Sequence, residues 1–274
     1  MTWGPADDGS GSSVRPITER TRRVMLRTQD GIAIDAAYEP GPAPGEDPVI
    51  VLAHGFTGDL DRPHVRRAAA VFAQRAAVIT FSFRGHGRSG GRSTVGDREV
   101  LDLAAAVEWA RSLGHARVVT VGFSMGGSVV LRHAASHRGR TEARTDAVVA
   151  VSAPARWFYR GTAPMRRLHW VVTRPAGRMV GRLGLRTRIH PYDWDPVPLS
   201  PVESVPLIAP TPLLVVHGDR DPYFPVDHPR MLAEAADGGA ELWLEPGMGH
   251  AENAASDALL DRIGAWAATA GAAQ

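Results

Sequence analysis

The sequence predicts an α/β fold, with a mostly parallel central sheet, helices on both faces and an inserted helical cap. Three observations predict it. From residue 49 onward, short apolar runs rich in Val and Ile alternate with longer helical stretches, as expected of parallel strands joined by right-handed crossovers. Ahead of them, Asp30-Gly31 sits between two strand-like runs and signals a tight antiparallel hairpin extending one sheet edge. Finally, more than 50 residues separate two strands between Ala153 and Val205, far more than a single crossover needs.

Taken in order, residues 1–20 are rich in Gly, Ser, Asp and Pro and read as a flexible arm. The hairpin runs follow at 23–28 and 32–38, then a linker at 40–48. Residues 49–53 are a short apolar run suited to a central strand, which ends in His54-Gly55-Phe56-Thr57-Gly58. A helix is expected over 62–75, a strand over 77–83 and a helix over 100–113, whose Leu101, Ala104, Ala105, Glu108 and Trp109 share one stripe. The strand 118–122 has four of five residues branched at Cβ and breaks abruptly into a helix near Met125. Strands over 146–152, 211–217 and 240–244 complete the sheet. The core is thus assigned to 21–152 and 206–274, and the cap to 153–205.

The cap carries Trp157, Phe158, Tyr159, Leu168, Trp170 and Met179, and from Ala155 to Arg188 it holds nine arginines and no carboxylate. Arg174, Arg178, Arg182 and Arg186 recur every four residues. On a helix they form a charged face opposite Met179, Val180 and Leu183, which reads as a solvated face backing a core-directed stripe. Contact with an anionic substrate or a membrane surface is the sharper alternative.

Composition is that of an ordinary globular chain: 274 residues, 44% hydrophobic and 22% charged. Cysteine is absent, which excludes disulfides, a thiolate nucleophile and zinc–cysteine sites. The isoelectric point near 9.5 accompanies a formal net charge of only +2, because all 31 basic residues are arginine and little titrates between His and Arg. Nucleic-acid binding therefore has little support. No membrane span or signal-peptide core is visible, so a cytoplasmic location is expected. Oligomeric state is not legible.

Gly122-Phe-Ser124-Met-Gly126 is the centre of the chemistry. A strand that restarts as a helix within a few residues strains the turning residue, Ser124, and only glycines fit around it. The hydroxyl is pushed out of the sheet at the positive end of a helix, where an oxyanion is favoured. A serine hydroxyl needs a base, and the base needs an orienting group. Beyond later strand ends lie His217-Gly-Asp219-Arg-Asp221 and Gly249-His250, where catalytic groups of open α/β sheets gather. The residues alone leave Asp219 and Asp221 as alternatives.

On these motifs, together with His54-Gly55-Phe56-Thr57-Gly58 and Arg84-Gly-His-Gly-Arg-Ser89, the chain over residues 22–268 resembles the α/β-hydrolase superfamily, particularly small-cap serine hydrolases like serine aminopeptidases and monoacylglycerol lipases. The resemblance implies Ser124 as nucleophile, Asp221 as acid, His250 as base, and the backbone N–H groups of Phe56 and Met125 as the oxyanion hole. It implies hydrolysis of a small-molecule carboxylic ester through an acyl-serine, with no metal and no organic cofactor. Phe56, Trp157, Phe158 and Trp170 are the expected substrate-binding side chains. An aminopeptidase or amidase, a thioesterase and a non-catalytic ligand-binding protein of the same fold are the rivals. His54 and His217 are expected to pack or hydrogen-bond at strand ends. Gly85-His-Gly87-Arg-Ser-Gly90 matches a dinucleotide fingerprint, but no helix is expected to open at its third glycine. His133 and His137 have metal-ligand spacing without a third ligand, and read as a surface pair.

Overall fold

The computed structural model describes residues 21–42 and 48–271. The arm at 1–20 and part of the 40–48 linker lie outside them. Eight strands form one sheet: β1 (Arg22–Arg27), β2 (Ala33–Glu39), β3 (Val49–Ala53), β4 (Ala77–Phe81), β5 (Val118–Phe123), β6 (Ala147–Val151), β7 (Leu213–Gly218) and β8 (Ala240–Glu245). Their order is β1-β2-β4-β3-β5-β6-β7-β8. The first two pairings, β1 with β2 and β2 with β4, are antiparallel, and all the others are parallel.

The central strands are covered on both faces, which explains their unbroken apolar runs. Val49, Val51 and Ala53 of β3 face one core, shared with α2 (Glu99–Ser112) and α3 (Met125–His137). Ile50 and Leu52 face the other, shared with α1 (Pro63–Phe72) and α9 (Asp257–Thr269). The single stripe expected on α2 is too narrow. Leu103, Ala106, Val107 and Ala110 are fully buried and only Glu108 and the terminal Ser112 are exposed, because the helix is wedged between β1, β3, β4 and α3.

Between β6 and β7 the chain forms α4 (Ala163–Thr173), α5 (Pro175–Leu183), a long irregular return, α6 (Pro201–Ser204) and a 3-10 turn, Val205–Leu207. The return is stitched to the core: Arg188 N–H donates to the Gly85 carbonyl at 2.8 Å, Ser93 N–H to Arg188 at 2.7 Å and His190 N–H to Ser93 at 2.8 Å. The stripe expected to face the core does the opposite. Met179, Val180 and Leu183 are exposed (60%, 48% and 76%), while Gly177 and Gly181 face inward. A Cβ on Gly177 would lie 2.3 Å from the Trp170 carbonyl oxygen. Small residues therefore let α5 lie directly on α4, and the larger apolar residues turn away. The remaining helices, α7 (Asp227–Ala235) and α8 (Ala251–Ala254), flank β8. Among the described residues no helix is long and apolar enough to cross a membrane.

Candidate active site

β5 stops at Ser124, whose φ of 54° lies in the left-handed region, a strained conformation for a residue with a side chain. The neighbouring glycines make the bend possible. A Cβ on Gly122 would sit 2.2 Å from the Gly126 carbonyl oxygen, and one on Gly126 would sit 2.2 Å from that of Ala53. Ser124 N–H still donates to Val151 at 2.9 Å, and its carbonyl accepts the Ser128 N–H at 3.2 Å as α3 begins. One residue thus ends the strand and starts the helix.

His250 arrives from the loop after β8. Its Nε2 lies 2.9 Å from Ser124 Oγ and its Nδ1 lies 2.7 Å from Asp221 Oδ2. With Nδ1–H donating to the carboxylate, Nε2 is left as acceptor for the serine proton. Asp221 follows β7, and its Oδ1 accepts the Tyr223 and Phe224 N–H groups at 2.8 and 3.1 Å. Burial alone would raise this carboxyl, but His250 and the two N–H donors outweigh it and hold it below the usual carboxylate range. Asp219 points elsewhere, accepting the Gly247 N–H at 2.6 Å. Of the two aspartates left open by the residues alone, Asp221 is the one that meets His250. The imidazole packs beside Tyr223 and Phe224, with ring centroids 4.3 and 5.6 Å away.

The N–H groups of Phe56 and Met125 meet no acceptor among the described residues. Met125 is the first residue of α3, so its N–H has no intrahelical partner. The Phe56 loop is held from three sides. Gly55 N–H donates to Glu252 Oε1 at 3.1 Å, His86 Nε2 donates to the Phe56 carbonyl, and His54 Nδ1 donates to the Gly55 carbonyl at 2.7 Å. His54 Nε2 accepts the Phe83 N–H at 3.0 Å, and burial pushes this histidine down to about 3, keeping it neutral. His54 and His217 are thus the strand-end packing residues expected, His217 donating to the Phe224 carbonyl at 2.8 Å.

A cleft of about 890 Å³ opens beside Ser124 and Met125, and Phe56, Trp157, Phe158 and Trp170 all border it. Trp157 is fixed by donating to the Pro198 carbonyl at 3.0 Å. Trp194, absent from the sequence expectation, also lines the cleft, stacks edge-on against Trp157 at 5.0 Å and donates to the Thr94 carbonyl at 2.6 Å. The lining is cationic, with Arg156, Arg160, Arg166 and Arg174 against one carboxylate, Asp193, among the described residues.

Sequence reasoning missed four supporting residues: Glu252, His86, Tyr223 and Ser152, whose Oγ accepts the Ala251 N–H at 3.0 Å and so pins the His250 loop. Only the position of His86 inside a Gly-rich loop hinted at a role. The expected surface pair, His133 and His137, is instead buried, with rings stacked at 4.5 Å, because α3 is covered by neighbouring elements. Among the described residues no group of three or more His, Cys, Asp or Glu could hold a metal ion.

A family profile described as the alpha/beta hydrolase fold matches residues 48–177. A monoacylglycerol lipase of Mycolicibacterium smegmatis is 28% identical over 267 residues, covering 81% of this chain and 89% of that protein. Among solved structures, the esterase Pf2001 of Pyrococcus furiosus superposes with a TM-score of 0.70 at 22% identity, covering 90% of each chain. The α/β-hydrolase GrgF of a Penicillium species gives 0.63 at 19% identity, covering 84% of this chain and 91% of its own. Sheet order, serine elbow and these likenesses together make the chain an α/β-hydrolase in fold, similar to esterases and to a lipase.

Proposed function

We propose that the chain hydrolyses a carboxylic ester through an acyl-serine, with Ser124 as nucleophile, His250 as base and then acid, and Asp221 as the group that orients the imidazole and stabilises its positive charge once it has taken the Ser124 proton. One observation carries the reading: Asp221, His250 and Ser124 form an unbroken hydrogen-bonded chain that ends in the cleft beside two N–H groups without acceptors. As Ser124 Oγ attacks the ester carbonyl, His250 Nε2 takes its proton, and the Phe56 and Met125 N–H groups receive the oxyanion. The tetrahedral intermediate collapses, the alcohol leaves with the His250 proton, and water repeats the sequence to free the acid. Each oxyanion donor contributes roughly 3 kcal/mol to such a transition state.

Residues 153–205 act in this reading as a cap whose aromatic side chains, Trp157, Phe158 and Trp170, hold the acyl group with Phe56. The similarity to a monoacylglycerol lipase favours an ester of a small alcohol as substrate. The cationic lining disfavours the aminopeptidase alternative, since a free peptide amine would enter among Arg156, Arg160, Arg166 and Arg174. Ser124→Ala should lower kcat on a short-chain nitrophenyl ester by about a million-fold and abolish labelling by a fluorophosphonate. Retention of most activity would remove Ser124 from the mechanism. Wild-type protein that labels stoichiometrically but cleaves an aminoacyl anilide in preference to the ester would favour the amidase alternative.

A further inference from the structure

Among the described residues, nine of the eleven large apolar side chains left exposed lie between Phe158 and Leu207. Surface apolar residues scattered singly need no explanation, but a concentration in one segment does. Its densest part is α5, where Met179, Val180 and Leu183 face solvent and Gly177 and Gly181 face the protein. The same helix carries Arg182 on the adjoining flank and is bracketed by Arg174 and Arg186, all three exposed and without an ion-pair partner among the described residues. A helix that turns its apolar residues outward beside unpaired arginines suits a surface that is apolar beneath and anionic above. In a bilayer interface the side chains enter the acyl boundary while guanidinium groups reach lipid phosphates. At nine residues α5 is roughly 14 Å long, too short to span a membrane, so it would lie in the interface plane. A second copy of the chain is a poorer occupant, because Arg174, Arg182 and Arg186 would face their own likeness.

We infer that the α5 face is a docking surface for anionic lipid bilayers, seating the rim of the cleft at Trp170 against the membrane. The inference does not depend on the chemistry at Ser124, and Met179 and Leu183 do not border the cleft. The test is sedimentation of full-length protein with vesicles of equimolar phosphatidylglycerol and phosphatidylcholine, and with pure phosphatidylcholine, at low and high salt. Binding is expected to the anionic vesicles, to weaken with salt, and to be slight on the neutral ones. The double variant Met179→Asp/Leu183→Asp should lower partitioning by at least about tenfold, while hydrolysis of a soluble short-chain ester and the circular dichroism spectrum stay at wild-type values. Arg182→Gln should lower partitioning roughly fivefold. Ser124→Ala should bind as wild type, which separates this surface from the proposed reaction. Absence of salt-sensitive binding, or equal binding by the Asp double variant, would overturn the inference. So would a wild-type dimer in solution that the Asp variants convert to monomer, since the face would then be covered by a second copy.

Discussion

Glu252 stands two residues beyond His250, yet its carboxylate reaches the Gly55 N–H at 3.1 Å and ties the loop bearing Phe56 to the loop bearing the imidazole. Removing a charged acceptor from a buried N–H costs about 2 kcal/mol. Glu252→Ala should therefore lower unfolding free energy by about that amount and depress kcat more than it changes KM. Glu252→Gln keeps an acceptor and should recover most of both. Urea unfolding with ester kinetics would decide, and wild-type behaviour of the Ala variant would show the tether to be idle. The contrast with Ser124 marks what is legible at this scale. Ser124 and His250 could be singled out because each sits past a strand end in a local glycine motif, whereas Asp221 could be separated from Asp219 only by the family resemblance. Glu252 could not, because its partner lies 197 residues away and nothing local distinguishes a tethering carboxylate from a solvated one, and His86, whose partner lies 30 residues away, is hinted at only by its Gly-rich loop.

The strands were legible to within about two residues, since a fully buried strand needs an unbroken apolar run and turn residues at its ends. Helical faces were harder. Periodicity says which side chains share a face of α5 but not which face the protein covers, and the glycine pair decides that by allowing backbone contact with α4. Gly177→Ala would put a methyl group 2.3 Å from the Trp170 carbonyl oxygen, so α5 must shift. Faster amide exchange across α4 and α5, with the sheet unchanged, is the expected readout. The elbow is less forgiving. Gly126→Ala brings a Cβ within 2.2 Å of the Ala53 carbonyl oxygen on the adjoining strand, and loss of soluble folded protein is expected. Gly139→Ala, where nothing lies within 4 Å, should express as wild type. If Gly126→Ala folds with an unchanged melting temperature, the elbow is looser than its geometry indicates.

Acid stability belongs to the molecule as a whole. Burial pushes His54 down to about 3 and His228 to about 4, and also lowers His86, His133 and His217. Between the ordinary imidazole value and about pH 4, the unfolded chain binds protons at His54 and His228 that the folded chain refuses, so stability falls as pH falls. Asp102 opposes this with one proton, since burial pushes it up to about 7 despite its pairing with Arg84, and folding then favours its protonated form in the same range. Two protons against one leave stability falling as the pH falls, in the direction that His86, His133 and His217 add to. Urea midpoints at pH 7 and pH 5 would measure it, and equal midpoints would mean that these histidines charge without unfolding. The distance in sequence between Ser124 and His250 has a further consequence in time. Ser124 and His250 are hydrogen-bonded across 126 residues of sequence, with the whole β6–β8 region between them. A ribosome therefore releases the serine long before the imidazole that would take its proton. On the proposed mechanism the nascent chain carries its serine without its base until the last strand has joined the sheet.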